Sequence, residues 1–168
     1  SDVYKRQGFE VLIEKGAGVS ANYSDADYEA AGAKIVSRVD ALACENIVCI
    51  NFPGIEGISE NTNLACVADP FRNPEYVKQC ISSNITLMSM DMIPRRLSRA
   101  QSMDVNSSQD NLAGYKAVLL GAANVPKGIP MMTTSAGTVR PAKVVVMGSG
   151  VAGLQAIATA KRLGCLLY

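Results

Sequence analysis

The chain has 168 residues, of which 48% are hydrophobic and 18% charged, a balance that supplies a packed core and excludes intrinsic disorder. Lys+Arg 16 against Asp+Glu 15 leaves a net charge of +1, so there is no basic field to hold nucleic acid by its phosphates. No apolar run approaches the roughly 20 residues of a membrane helix, and the chain has no histidine, which removes the commonest general base and metal ligand.

The five cysteines, Cys44, Cys49, Cys66, Cys80 and Cys165, form no CxxC pair and show no metal-ligand spacing. They are expected to be small buried hydrophobes in a reducing compartment, with no metal. No N-terminal apolar stretch has the form of a signal peptide, so the cytoplasm is the expected location.

Residues 9–15 are predicted as a strand because branched and aromatic side chains dominate a short run, ended by Gly16-Ala17-Gly18. A helix is predicted to start at Ser24, which can cap free amides, with Asp25 and Asp27 at the positive end of the helix dipole and Gly32 as its stop. Strands are predicted at 46–52, 64–68 and 85–90. Between the last two, Asn73-Pro74-Glu75 opens a helix with Asn at the cap and Pro at the first position. This alternation predicts a parallel sheet wrapped by helices.

Residues 91–104 break the pattern, with Arg95, Arg96 and Arg99 inside five residues. On composition alone such a run is a solvated loop. A helix is predicted from about Ser107, with Ser107 and Asp110 spaced like a capping box and Leu112, Tyr115, Leu119 and Ala122 on one face. Residues 124–142, rich in Gly, Pro, Thr and Met, are expected to form a linker. A fifth strand is predicted at 143–147.

That strand runs into Gly148-Ser149-Gly150-Val151-Ala152-Gly153 and then an apolar-faced helix, the context in which GxGxxG signals dinucleotide binding. Gly148 suits the tight turn, Gly150 the approach of a pyrophosphate, and Gly153 close helix–strand packing. Amides near Val151 and Ala152 would hold the phosphate charge. A tight βα turn that binds nothing has the same pattern. The acidic residue expected about 20 residues on, for the ribose hydroxyls, falls past Tyr168, so the pattern leaves the choice between NAD and NADP open.

Several segments together resemble the N-terminal, NAD(H)-binding part of the alpha subunit of proton-translocating NAD(P) transhydrogenase, within the alanine dehydrogenase/transhydrogenase superfamily. They are Glu14-Lys15-Gly16-Ala17-Gly18, Ser24-Asp25 to Ala33, Met90-Asp91-Met92-Ile93-Pro94-Arg95, Ser98-Arg99-Ala100-Gln101-Ser102-Met103-Asp104 into Asn111-Leu112-Ala113-Gly114-Tyr115, Ala136-Gly137-Thr138-Val139 and Gly150 to Leu154. The resemblance covers roughly residues 8–164. It implies an α/β fold: a Rossmann-like parallel-sheet lobe at 8–123, the linker at 124–142, and at 143–164 the truncated start of a second, NAD-binding Rossmann lobe. The family's first strand would precede Gly8. Residues 1–7 and 165–168 match nothing in the resemblance and are expected to be non-native ends.

The implied chemistry is hydride transfer from NADH to NADP+, coupled to proton translocation by other domains. NAD(H) would lie on this part and NADP(H) on a partner domain. The resemblance also implies a homodimer through this part, partnership with the NADP-binding and membrane domains or beta subunit, and a place at the cytoplasmic face of the bacterial inner membrane. A loop named for its Arg, Gln and Asp would sit over the nicotinamide; here these correspond to Arg96, Gln101 and Asp104, with Ser107 nearby. Asp and Ser can fix a carboxamide, Arg can pair with a pyrophosphate, and Gln can reach the partner domain. Gln101 and Asp104 are the expected catalytic pair. Counting forward from Pro94 selects Arg95 for the arginine role, and counting back from Gln101 selects Arg96, which we take.

Alanine dehydrogenase is the nearest alternative, but it needs a lysine and a histidine to bind and protonate its keto acid, and Cys49 and Asn51 stand where lysines would sit. A non-catalytic NAD-binding module is the other. With the ribose acid missing, the 168 residues alone are expected to bind NADH weakly or not at all.

Overall fold

The computed structural model describes residues 2–167, which fall into two compact units divided between Met92 and Ile93. In the first unit, a short helix α1 (Asp2–Arg6) precedes β1 (Leu12–Glu14), α2 (Asp25–Ala30), β2 (Lys34–Val36), α3 (Arg38–Leu42) and β3 (Asn46–Asn51). There follow β4 (Asn63–Val67), α4 (Pro74–Ser82) and β5 (Thr86–Ser89). Strands β1 and β2 pair in parallel, and β3-β4-β5 form a second parallel sheet in that order.

The larger sheet carries the core of this unit. Ile47, Leu64 and Leu87 lie in register across its three strands, and Leu64 is 0% exposed. The next positions on the same face are Cys49, Cys66 and Ser89, with Cys66 opposite Ser89. Cys80 of α4, Ala68 and Ile85 close the buried cluster, and Leu42, Phe52, Ile55 and Ile58 pack around it. Period-two alternation sends the other residues to the opposite face. There Val48 is 66% and Ile50 80% exposed.

Local chemistry sets the helix starts. Ser24 and Asp27 form a reciprocal capping box: the Asp27 amide donates to Ser24 Oγ at 3.3 Å, and the Ser24 amide donates to Asp27 Oδ2 at 2.7 Å. Ser37 caps α3 more simply, its Oγ accepting from the Asp40 amide at 3.2 Å. Pro74 opens α4 as predicted, but Asn73 does not cap it. Its Nδ2 turns back to donate to the carbonyls of Ala68 and Asp69, each at 3.2 Å, and so ties the end of β4 to the helix start.

The second unit begins with the loop after Met92 and continues into α5 (Val105–Asn124). A hairpin of β6 (Met132–Thr134) and β7 (Gly137–Val139) follows, within the stretch expected as a linker. Then β8 (Lys143–Val144), α6 (Val151–Arg162) and β9 (Leu166–Leu167) form a parallel βαβ unit. Residues 145–147, predicted as strand, are not paired. Helix α5 starts two residues before Ser107, because Asp104 takes the cap that the spacing assigns to Ser107. Its inward stripe also differs from the predicted face: Gly114 is buried, Val118, Leu119 and Ala122 are half-buried, and Leu112 and Tyr115 are exposed.

Leu64→Ala opens a cavity at the centre of the sheet and is expected to cost about 2–5 kcal/mol in urea unfolding. Val48→Ala, on the exposed face of the same sheet, is expected to stay within about 0.5 kcal/mol.

Candidate functional site

The glycine turn and the arginine-rich loop both belong to the second unit, and one helix, α5, connects them. At the turn, Gly148 has φ +111, a left-handed conformation that side chains resist. A Cβ on Gly153 would sit 2.2 Å from the Gly148 carbonyl oxygen, so only glycine lets the first turn of α6 close onto the turn that precedes it. A Cβ on Gly150, by contrast, would meet nothing within 4 Å. Gly150 is the N-cap of α6, no side chain caps the helix start, and its first turn carries no acidic residue. Its leading amides, at Val151 and Ala152, form a positive terminus with open space before it, which fits a phosphate.

Helices α5 and α6 approach each other closely. A Cβ on Gly114 would lie 2.1 Å from the Ala152 carbonyl oxygen, so the backbone of α6 enters the surface of α5 at the position where a side chain would stand. Asn111 Nδ2 donates to Gln155 Oε1 at 3.3 Å one turn earlier on α5. Sequence reasoning misses this packing role of Gly114. A glycine in the middle of a 20-residue helix is the available signal, since it costs about 1 kcal/mol unless close packing needs it.

Helix α5 begins at the loop. Residues 93–104 are a chain of tight turns: the Leu97 amide donates to the Pro94 carbonyl at 3.1 Å, Ala100 to Leu97 at 2.8 Å, and Met103 to Ala100 at 2.9 Å. Ala100 is buried and anchors the loop, while Arg95, Arg96, Arg99 and Gln101 are exposed. Asp104 ends it. Its Oδ1 accepts from the Ser107 amide at 2.9 Å and its Oδ2 from Ser107 Oγ at 2.6 Å. These two bonds hold the Asp104 carboxyl below the ordinary range, and the nearby charge of Arg95 adds to them. Of the two arginines that counting leaves open, Arg95 is the one whose charge acts on Asp104. From Asp104 to Gly114 is ten residues, or about 15 Å of helix rise. Gln101, Asp104 and Ser107 therefore cluster at one end of α5, and Gly148, Gly150, Val151, Ala152 and Gly153 cluster where α6 crosses it.

Two hollows complete the picture, each inside one unit. In the second, a largely apolar hollow of about 1030 Å³ lies among Val118 and Ala122 of α5, Val144 and Val146, and Ala156 and Ala160 of α6. In the first, a smaller one of about 350 Å³ sits at the C-terminal ends of β3 and β4, lined by Asn51, Phe52, Val67, Ala68, Asp69, Asn73 and Tyr76. Phe52 and Tyr76 stack there at 4.2 Å. None of these lining residues is a lysine. Among the described residues, no group of acidic or sulfur side chains has the arrangement to hold a metal ion, and no helix is long and apolar enough to cross a membrane.

Gly114→Val is expected to push α6 off α5 and cost about 1–3 kcal/mol or more in thermal unfolding. Gly121→Ala, on the same helix with open space around it, is expected to stabilise by about 0.5–1 kcal/mol. Because the folded Asp104 carboxyl lies below its ordinary value of 3.8, its ionised form favours the fold. That contribution is complete above pH 3.8 and is lost as pH falls through the lower folded value. Comparing acid-unfolding curves of the unsubstituted chain and Asp104→Asn checks this, the variant being expected to lose the corresponding part of the pH dependence.

Family models match the chain along nearly its whole length: alanine dehydrogenase/PNT, N-terminal domain, over residues 2–113, and alanine dehydrogenase/PNT, C-terminal domain, over 117–167. The first part of NAD(P) transhydrogenase subunit alpha from Rhodospirillum rubrum is 48% identical over 95% of this chain and 44% of its own length. NAD(P) transhydrogenase subunit alpha of Cereibacter sphaeroides is 40% identical over 98% of this chain and 32% of its own. The crystal structure of transhydrogenase from Sinorhizobium meliloti superposes with a TM-score of 0.95 at 43% identity, covering 99% of this chain and 51% of that one. An L-alanine dehydrogenase structure superposes with a TM-score of 0.83 at 26% identity, over 98% of this chain and 46% of its own. The chain thus spans about half the length of these relatives, or less. Its glycine turn, its parallel sheets and both of its matched segments place it in one family: the chain belongs to the alanine dehydrogenase/PNT family.

Proposed function

We propose that this chain is the NAD(H)-holding part of a proton-translocating transhydrogenase, in which hydride passes directly between NADH and NADP+ carried on a separate domain. The observation that carries this reading is the open, uncapped start of α6 behind Gly150, joined through the Gly114 contact to the helix that begins at Asp104. The amides of Val151 and Ala152 would bind the pyrophosphate, with Gly148 and Gly153 shaping the turn that presents them. Bound there, the nicotinamide nucleotide supplies the hydride. Asp104 and Ser107 would accept from and donate to the carboxamide and so fix which ring face is presented. Arg96 would pair with phosphate, and Gln101, exposed beside Asp104, would reach the partner domain. Hydride transfer asks these residues for orientation rather than for a proton.

The chain's lack of histidine accords with that demand. An alanine dehydrogenase needs a lysine and a histidine to bind and protonate its keto acid, and the hollow at the ends of β3 and β4 has neither in its lining. We further propose a homodimer through this part, and association with NADP-binding and membrane domains at the cytoplasmic face of a bacterial inner membrane.

The test is hydride exchange between NADH and an acetylpyridine analogue in the enzyme that carries this segment, with the NADP domain present. Asparagine caps a helix as well as aspartate does, so Asp104→Asn keeps an acceptor for the Ser107 amide and leaves α5 in place, while it removes the charge and the second oxygen that accepts from Ser107 Oγ. It is expected to slow exchange about tenfold or more, roughly 1.4 kcal/mol of barrier. Gly150→Val is expected to abolish NADH binding in calorimetry by filling the space before the α6 amides. Unchanged rates in Asp104→Asn would remove the loop from the mechanism, and reduction of NAD by L-alanine would overturn the reading as a whole.

A further inference from the structure

Four of the five cysteines belong to the core cluster of the first unit, Cys66 and Cys80 buried in it and Cys44 and Cys49 packed against it, although no motif groups them. Cys49 stands on β3 and Cys66 on β4, one position beyond the paired residues Val48 and Ala65. Both lie on the core face of the sheet, following Ile47 and Leu64. Neighbouring strands run about 4.8 Å apart, inside the roughly 4.4–6.8 Å that a disulfide spans between Cα atoms. The two thiols are close enough for each to act on the ionisation of the other. Between Val48 and Asn51 the register of β3 shifts by one residue, so the backbone carrying Cys49 is not locked into a regular ladder and has room to adjust.

The two sulfurs differ in the way a nucleophile and a resolving thiol differ. Cys49 is partly exposed, and Cys66 is fully buried at 0%. The Cys66 thiol beside it holds Cys49 below the ordinary thiol range against the opposing effect of burial, and the Arg38 guanidinium adds its charge. Arg38 is itself fixed nearby, with Nη1 3.2 Å from Glu14 Oε2 and Nη2 donating to the Pro53 carbonyl at 3.2 Å. Cys66 is pushed up, first by its pairing with Cys49 and then by burial. Cys49 is the more accessible residue of the two, so an oxidant from solvent meets it first, and Cys66 lies behind it in the core.

We propose that Cys49 and Cys66 are an oxidisable dithiol, a modification site at which a peroxide closes a disulfide between β3 and β4. Cys49 thiolate attacks the peroxide, the O–O bond breaks, and the sulfur is oxidised to a sulfenic acid as hydroxide leaves. Cys66 sulfur then attacks Cys49 sulfur. The S–S bond forms, the S–O bond breaks, and the Cys66 proton leaves with the hydroxyl as water. The net change is two thiols and one hydrogen peroxide to one disulfide and two waters, and a thiol reductant reverses it.

The chain is treated with hydrogen peroxide, its remaining thiols are alkylated, and it is digested without reductant by a protease that cuts after glutamate. Cuts after Glu45, Glu56, Glu60 and Glu75 place Cys44, Cys49, Cys66 and Cys80 in four separate peptides. The expected product joins peptide 46–56 to peptide 61–75, with a loss of two hydrogens, and dithiothreitol separates them. In Cys66→Ala, Cys49 is expected to accumulate as a sulfenic acid trapped by dimedone. In Cys49→Ser, Cys66 is expected to stay alkylatable at the same peroxide dose. Because the mapping is done on the unsubstituted chain, it stands even if Cys66→Ala fails to fold. A Cys66–Cys80 or Cys44–Cys49 link, a disulfide between two chains, or Cys49 advancing to the sulfinic acid while Cys66 remains a free thiol would each overturn the proposal.

Discussion

The second unit depends on one contact, that between Gly114 of α5 and the Ala152 carbonyl of α6. At this distance no side chain fits, and the two helices meet backbone to backbone rather than through interdigitated residues. The approach has two effects at once. It fixes the first turn of α6, whose free amides would face a phosphate. It also fixes α5, whose other end holds Asp104. A site assembled from two distant sequence segments is therefore set by the absence of a single methyl group. The same approach accords with Gly114 being the buried residue of α5 while its neighbours Leu112 and Tyr115 stay outside.

Asp104 shows how a site can rest on ordinary helix chemistry. The carboxylate satisfies the Ser107 amide, one of the donors that a helix start leaves without an intrahelical partner, and the Ser107 hydroxyl as well. The loop before it needs little further support, since buried Ala100 and short backbone turns hold it in place. Its charged and amide side chains are then free to face outward. An exposed polar loop seated on a rigid helix start combines reach with orientation. The same bonds that cap the helix hold the Asp104 carboxyl below its ordinary value.

The elements that local rules govern are legible in the sequence. The Ser24–Asp27 box, Pro74 at the first position of α4, the strands around Ile47, Leu64 and Leu87, and the strand–turn–helix around Gly148 all arise from interactions spanning a few residues. Strand β2 and helix α3 escape such reasoning, because each is shorter than the window over which periodicity can be recognised. Ser-x-x-Asp is a fair capping signature and points to Ser107 as the cap of α5. Asp104 wins because it precedes Ser107 by three residues and its carboxylate reaches both the Ser107 amide and hydroxyl. Along the chain the five cysteines look like equivalent apolar fillers. Cys66 and Cys80 are buried in that way, but register across β3 and β4 brings Cys49 against Cys66, and no spacing along the chain encodes that adjacency.

By itself the sequence determined the parallel α/β character, the glycine turn, the charged loop and the absence of any histidine, since each is a matter of residue type or of neighbours along the chain. Tertiary structure alone decided which glycine sets the α5–α6 distance, which side chain caps the helix beneath the loop, and which thiols strand register brings together. The first and last of these are matters of close packing and strand register, which act between residues well separated along the chain. The cap is a contest between two acceptable local signatures, settled in favour of the Asp104 carboxylate, which the folded loop delivers to the Ser107 amide. In each case side-chain volume and contact, rather than local propensity, select the partner.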